Sequence, residues 1–452
     1  MSGSLASGCL RTSSPCPQRE SHHAAFSMQT LPNHHPGAFR RWCHNRDGHT
    51  ESPRWWLVAP LIGMIGNASS EIGLFGTAED TFTYYSAGPG IGGNAFVANQ
   101  PTYLAANLTG TVDFANVDIT LLDADIKAYS TGLGATNGPR IQIPYVVAPI
   151  TIPIVNGPIV TSTTTPQTTP NQAHSVALND DDICGIFSGK LSNWNQVTNP
   201  ETGSPYTLNA PITVVYLPRG DEGTNKMLSR HLASVCTPSN TAVGVTFVES
   251  IMFAASFPNA HVPNNFVSAA GSGDLRRALL SSQGAAIGYL SPAYANTFLA
   301  ASSSVVTESG AAQLPVASLL NSIDGKYYAP THANATVAFG TAAAPDNKVT
   351  ATNPAAWVPN IGNPPAGYPL SFTSQIIVSQ CYSNPTVILA MRDFLSSHYT
   401  NVNFASLIQG NGFGTIPSNF QSAISNTFLS NVNGYNLDIG NASVCSGQVT
   451  GR

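Results

Sequence analysis

Glycine-rich polar loops that open helices recur along this chain, and they constrain its fold more than any other feature. Phe82 to Tyr85 (FTYY) reads as a strand, Ala87 to Gly93 (AGPGIGG) as a turn, and Ala95, Phe96 and Leu104 as buried positions of the helical segment that follows. Pro211 to Tyr216 (PITVVY) is a second strand running into the loop Leu217 to Asn225 (LPRGDEGTN), after which Met227, Leu228 and Leu232 recur at helical spacing. Gly271 to Asp274 enters a helix carrying Leu275, Ala278 and Leu279, followed by the strand Ala286 to Leu290. This alternation predicts an α/β architecture. It also turns several helix N-termini toward one crevice, where unpaired N–H groups and helix dipoles favour an anion.

Other segments fit the same plan. Val112 to Ala115 is a short strand ahead of Asp118, and Ile143 to Val155 (IPYVVAPITIPIV) has the continuous apolarity of a strand crossing a buried interface. A Thr/Pro-rich linker spans 160–170. Asp180, Asp181 and Asp182 precede an apolar helical run, which predicts a helix with acidic residues at its positive end.

The chain has 452 residues, enough for large cores, yet only 9 % are charged, against about 25 % in an average soluble domain. Ser, Thr, Asn, Gly and Pro supply the polarity instead, a habit of exported proteins. A net charge of -5 carries no electrostatic footprint for nucleic acid. No run of 18 apolar residues predicts a membrane span.

Residues 1–54 differ from the rest, with three of the seven Cys, six of the eleven His, no Lys and little apolar periodicity. They are expected to be a disordered or mis-annotated N-terminal extension, with Met28 an alternative start. Residues 55–70 read either as a signal-like apolar segment or as a first strand. Cys43, His44 and His49 lack a second Cys/His pair at finger spacing, so no metal site is expected. The remaining Cys184, Cys236, Cys381 and Cys445 predict two disulfides, most simply Cys184–Cys236 and Cys381–Cys445, each worth about 4 kcal/mol in the chain-entropy model. No His-Glu-x-x-His or Gly-x-Ser-x-Gly signature occurs, so no catalytic constellation and no cofactor are predicted.

Three runs taken in order, Asp182 to Trp194 (DICGIFSGKLSNW), Ile212 to Tyr216 (ITVVY) and Gln283 to Pro292 (QGAAIGYLSP), resemble periplasmic phosphate-binding proteins of the ABC phosphate-uptake system, nearest their DING subgroup. Gly367 to Leu370 (GYPL) and Gly412 to Pro417 (GFGTIP) extend the likeness, which runs from about Tyr84 to Pro417. The resemblance implies a two-lobed, type II periplasmic binding protein-like α/β fold with a hinge and an interlobe cleft. The expected division is 71–153 and 293–452 for the first lobe and 154–292 for the second.

The family holds dehydrated phosphate with backbone N–H groups, hydroxyls, one Arg and one Asp. An Arg fork fits two oxygens, and a carboxylate accepts the proton of hydrogen phosphate while repelling sulfate. Carried over, Asp118 matches the proton acceptor and Arg219 the clamp. Gly223, Thr224 and Asn225 match a donor loop, Gly90 belongs to a second loop, and Ser69 and Ser70 stand at the place of the first. Three positions depart from the pattern: Pro89, Val117 and Glu222 occupy places where the family carries Ser, and the loop from Arg219 to Thr224 is one residue short. The implied function is capture of phosphate or a related oxyanion by an exported monomer that hands it to an ABC permease. A secreted phosphatase-like enzyme, or a scaffold without anion affinity, are the alternatives.

Overall fold

The β-branched and aromatic runs become strands of three sheets. The computed structural model describes residues 25–28, 70–76, 82–85, 89–121, 123–160, 176–219, 222–295 and 313–452. The largest sheet has five strands in the order β2-β1-β3-β12-β4. These are β1 (Ala25–Met28), β2 (Phe82–Tyr85), β3 (Phe114–Val117), β4 (Arg140–Pro149) and β12 (Ser371–Ser379). Every residue of β3 and β12 is buried, as is every residue of β4 after Arg140. Such strands are covered on both faces, which explains why their sequences run apolar or small rather than alternating.

A four-stranded sheet has the order β5-β9-β7-β8, from β5 (Ile154–Val155), β7 (Thr213–Tyr216), β8 (Phe266–Ser268) and β9 (Ala286–Ile287). β7 runs parallel to both β8 and β9, as strand-helix-strand units require. The apolar run 143–155 therefore divides: it leaves the first sheet at Pro149 and enters the second at Ile154. Between them, Thr151 and Leu290 pair across an antiparallel bridge, each N–H donating to the other's carbonyl at 2.7 and 3.0 Å. This pairing stands where the chain passes from one sheet to the other.

Two findings depart from the sequence reading. β1 comes from the segment expected to stand outside the fold, yet Ala25–Met28 pairs antiparallel with both β2 and β3. A short apolar run (AFSM) completes a sheet that would otherwise expose strand edges. A third sheet, β11-β10-β6, joins β6 (Ala177–Leu178) in parallel to β10 (Ser318–Asn321), with β11 (Lys326–Tyr328) beyond. It links residues from the two ranges expected in different lobes. The signal-like run 55–69, the linker residues 161–170 and the Cys43, His44, His49 group lie outside the described residues.

Both expected disulfides are present, with Cα atoms 5.5 Å apart in Cys184–Cys236 and 5.4 Å in Cys381–Cys445. The acidic helix forms as Asp180–Ser188. Asn179 is its N-cap, accepting from Asp182 N–H at 2.8 Å, while the Asp182 carboxylate accepts from Asn179 N–H at 3.3 Å. Gly189, at φ +82°, ends it in the left-handed conformation that glycine adopts without steric cost.

Candidate functional site

Asp118 follows β3 of the five-stranded sheet, and Gly223 lies in the first turn of the helix Glu222–Val235 that follows β7 of the four-stranded sheet. The two meet. A Cβ on Gly223 would fall 2.5 Å from Asp118 Cβ and 3.1 Å from its Oδ2, so only glycine permits the contact. Asp118 is 7 % exposed. Its carboxylate thus stands, nearly dehydrated, at the positive end of a 14-residue helix from the opposite lobe. Burial, and after it the Asp118 charge, hold the Tyr84 hydroxyl far above the ordinary tyrosine value, so Tyr84 stays neutral.

The next residue, Thr224, is buried with its hydroxyl in the same helix turn. Asn225 is buried too, but its side chain is committed elsewhere. Its Nδ2 donates to the carbonyls of Leu217 and Ile251, both at 2.9 Å, and its Oδ1 accepts from the Tyr289 hydroxyl at 2.6 Å. Tyr289 in turn accepts from Leu217 N–H at 3.0 Å. The Asn225 side chain thus fastens the helix to the end of β7 and to Tyr289, which leaves its main-chain N–H as the group the donor loop would offer. Tyr289 was legible only as part of a family landmark.

Ser70 and Gly90 open the other two helices. Ser70 is fully buried and is the N-cap of Glu71–Phe75, its Oγ accepting from Gly73 N–H at 3.2 Å. Beside it lies a cluster that sequence reasoning missed. Glu71 accepts from the Tyr145 hydroxyl and bonds His398 Nδ1, each at 2.6 Å, and His398 Nε2 donates to the Tyr145 carbonyl at 2.6 Å. The imidazole thus bridges the Glu71 carboxylate and the main chain of β4. The His398 and Tyr145 rings stack with centroids 3.8 Å apart. The one sequence signal for this cluster was a His in an apolar helix, which is not diagnostic.

Gly90 is the second residue of the helix Pro89–Ala98. Pro89 at the first helical position explains one departure from the family pattern: a missing N–H there is one of the groups a helix leaves unpaired anyway, so the helix starts well with one donor fewer. At its far end, Arg452 donates to the Phe96 and Val112 carbonyls at 2.9 and 2.7 Å, its guanidinium 3.8 Å from the Phe96 ring centroid. A cation there complements the negative end of the helix dipole. Ser69 and Gly88 lie outside the described residues, as does the lie of the Glu222 side chain.

Arg219, expected as the clamp, lies apart from these residues. It is exposed, its main chain is bridged to Met252, and its guanidinium makes no ion pair among the described residues. That bridge holds Arg219 at the exposed end of the loop, so the structure gathers Asp118, Gly223 and Thr224 in one buried place without the expected clamp. Among the described residues, no three His, Cys, Asp or Glu side chains gather as a metal site.

A family model described as PBP superfamily domain matches residues 76–396. Alkaline phosphatase L of Pseudomonas aeruginosa (strain UCBPP-PA14) is 31 % identical over 382 residues, covering 80 % of this chain and 86 % of that protein. A phosphate-binding protein of an unknown prokaryotic organism is 30 % identical over 379 residues, covering 81 % and 92 %. Among solved structures, a high-affinity periplasmic phosphate-binding protein, PfluDING, bound with phosphate at pH 8.5, matches with a TM-score of 0.64 at 27 % identity, covering 86 % of this chain and 97 % of that one.

Proposed function

We propose that this chain, which belongs to the PBP superfamily, is an exported binding protein that captures phosphate between its two lobes. The observation that carries the reading is the contact between Asp118 and the first turn of Glu222–Val235. A buried carboxylate opposite unpaired helix N–H groups suits an oxyanion that is still protonated: the helix supports its charge, and the carboxylate accepts its hydrogen. A fully ionised anion of the same shape would set two negative charges together in a place with little water to screen them. The names of the phosphate-binding relatives support phosphate as that anion.

Thr224, Ser70 and the main chain at Gly90 and Gly223 are the donors we assign. Arg219 joins them only by moving inward from its exposed position when the anion arrives. Delivery to a membrane permease in the periplasm is the cellular role that fits such a protein. The name of the phosphatase relatives supports a second reading, hydrolysis of phosphate esters at the same place.

Calorimetric titration with phosphate and sulfate, beside turnover of a chromogenic phosphate monoester, separates the readings. Saturable phosphate binding with much weaker sulfate binding and no turnover is the expected result, and Asp118→Asn should narrow the gap between the two anions. Turnover abolished by Asp118→Ala would establish the enzyme instead, and no heat with either anion would leave a scaffold.

A further inference from the structure

The helix Glu71–Phe75, which Ser70 caps, has five residues, too few to hold its own position in water. Its apolar side is well seated: Ile72 is fully buried, and the Phe75 ring meets Phe82 and Phe394 edge-on, each with centroids 5.4 Å apart. Such contacts fix where the helix lies but carry no direction, so they leave its rotation about its own axis open.

Glu71 supplies the direction. One carboxylate oxygen accepts from the Tyr145 hydroxyl on β4, and the other bonds Nδ1 of His398 on the helix Pro385–Thr400, both at 2.6 Å. The His398 ring is held in turn by Nε2 on the Tyr145 carbonyl and by its stack on the Tyr145 ring, with 7° between the planes. Both the Glu71 and His398 side chains are buried. An apolar residue would fill the place without the desolvation cost of a carboxylate, but it could not set the angle of the first turn. The cluster also lies within electrostatic reach of Asp118. Burial first, then Glu71, Tyr399 and Tyr84, hold the Tyr145 hydroxyl well above the ordinary tyrosine value, and that same Tyr84 senses the Asp118 charge.

We propose, on the phosphate reading above, that Glu71, gripped by Tyr145 and His398, is a positioning residue for phosphate that acts through Ser70 by turning its hydroxyl toward the anion. Ser70 Oγ accepts from Gly73 N–H at 3.2 Å, so the hydrogen of that hydroxyl is what Ser70 would offer an oxyanion. Glu71 follows Ser70 directly in the chain. A shift of its carboxylate therefore swings the hydroxyl together with the first turn, and a donor group works only while its supporting contacts hold it in place.

Inorganic phosphate is the probe, titrated by calorimetry into the full chain and its variants. Ser70→Ala should weaken binding about tenfold, the usual worth of a hydrogen bond to a charged group, and Glu71→Leu by a similar factor. In the Ser70→Ala background Glu71→Leu should add nothing, because the group it aims is gone, whereas a merely structural role weakens both backgrounds alike. Glu71→Gln keeps both bonds, its amide oxygen accepting from Tyr145 and its nitrogen donating to His398 Nδ1, and should bind phosphate as the wild type does. Additive losses in the double variant, unchanged affinity in Ser70→Ala or Glu71→Leu, or equal losses in Glu71→Gln and Glu71→Leu would each overturn the proposal while phosphate capture stands. No binding by the wild type would overturn phosphate capture and the proposal with it. If Glu71→Leu does not fold, Tyr145→Phe takes its place, since it removes one of the two bonds and keeps the ring. It should weaken binding severalfold in the wild-type background and add nothing in Ser70→Ala; unchanged affinity, or equal losses in both, overturns the proposal.

Discussion

Glycine at position 223 and aspartate at position 118 are separated by about a hundred residues, yet each fixes what the other can be. Asp118 was legible as a candidate because it ends a short apolar strand and matches a family position. Gly223 was legible only as one glycine in a polar loop, since nothing local shows that its missing side chain makes room for a carboxylate from the other lobe. The Asn225 side chain was not legible for a related reason: only the fold shows that Leu217, Ile251 and Tyr289 use its amide. A second carboxylate makes a prediction at this scale. Burial pushes Asp182 up to about 6, outweighing the main-chain N–H groups of Asn179 and Thr198 that stabilise its charge. The unfolded chain releases this proton near pH 4, about two pH units earlier, so folding is favoured by the group below that pH and loses about 3 kcal/mol at most as pH rises through 6. Melting temperature should therefore fall more between pH 4 and pH 7 in the wild type than in Asp182→Asn. Equal falls would contradict the assignment.

Elements here are placed by side chains that lie far from them in sequence. The repeating strand, loop and helix units were readable because apolar spacing and glycine act locally. The fastenings behind them were not readable. Glu71 and His398 lie 327 residues apart, and Arg452 caps a helix that ends at Ala98. The helix Glu222–Val235 is held at its start by Asn225 and Tyr289 and just past its end by Cys184–Cys236. Tyr289→Phe would leave Asn225 Oδ1 and Leu217 N–H without their shared partner, at a cost of about 1–3 kcal/mol. Denaturant unfolding should register that loss, and phosphate affinity should fall with it because the donor turn is no longer fixed. Stability lowered with phosphate affinity unchanged would show that this fastening does not position the site.

On the scale of the whole molecule, one apolar run was readable as a strand crossing a buried interface, and it serves two sheets, dividing at the pairing of Thr151 with Leu290. The contribution of Ala25–Met28 and the joining of Ala177–Leu178 to Ser318–Asn321 could not be foreseen, because short strands take their partners from the tertiary fold rather than from their own sequence. Ligand capture in this architecture requires the lobes to meet at one place, and the closest fit there is Gly223 against Asp118. Phosphate titration of Gly223→Ala tests this most directly, because a single methyl group must hold the lobes apart while leaving each sheet intact. Overpacking of about 1–3 kcal/mol predicts affinity weakened roughly five- to a hundredfold, with the melting temperature of the unliganded protein little changed. Wild-type phosphate affinity in that variant would contradict the account.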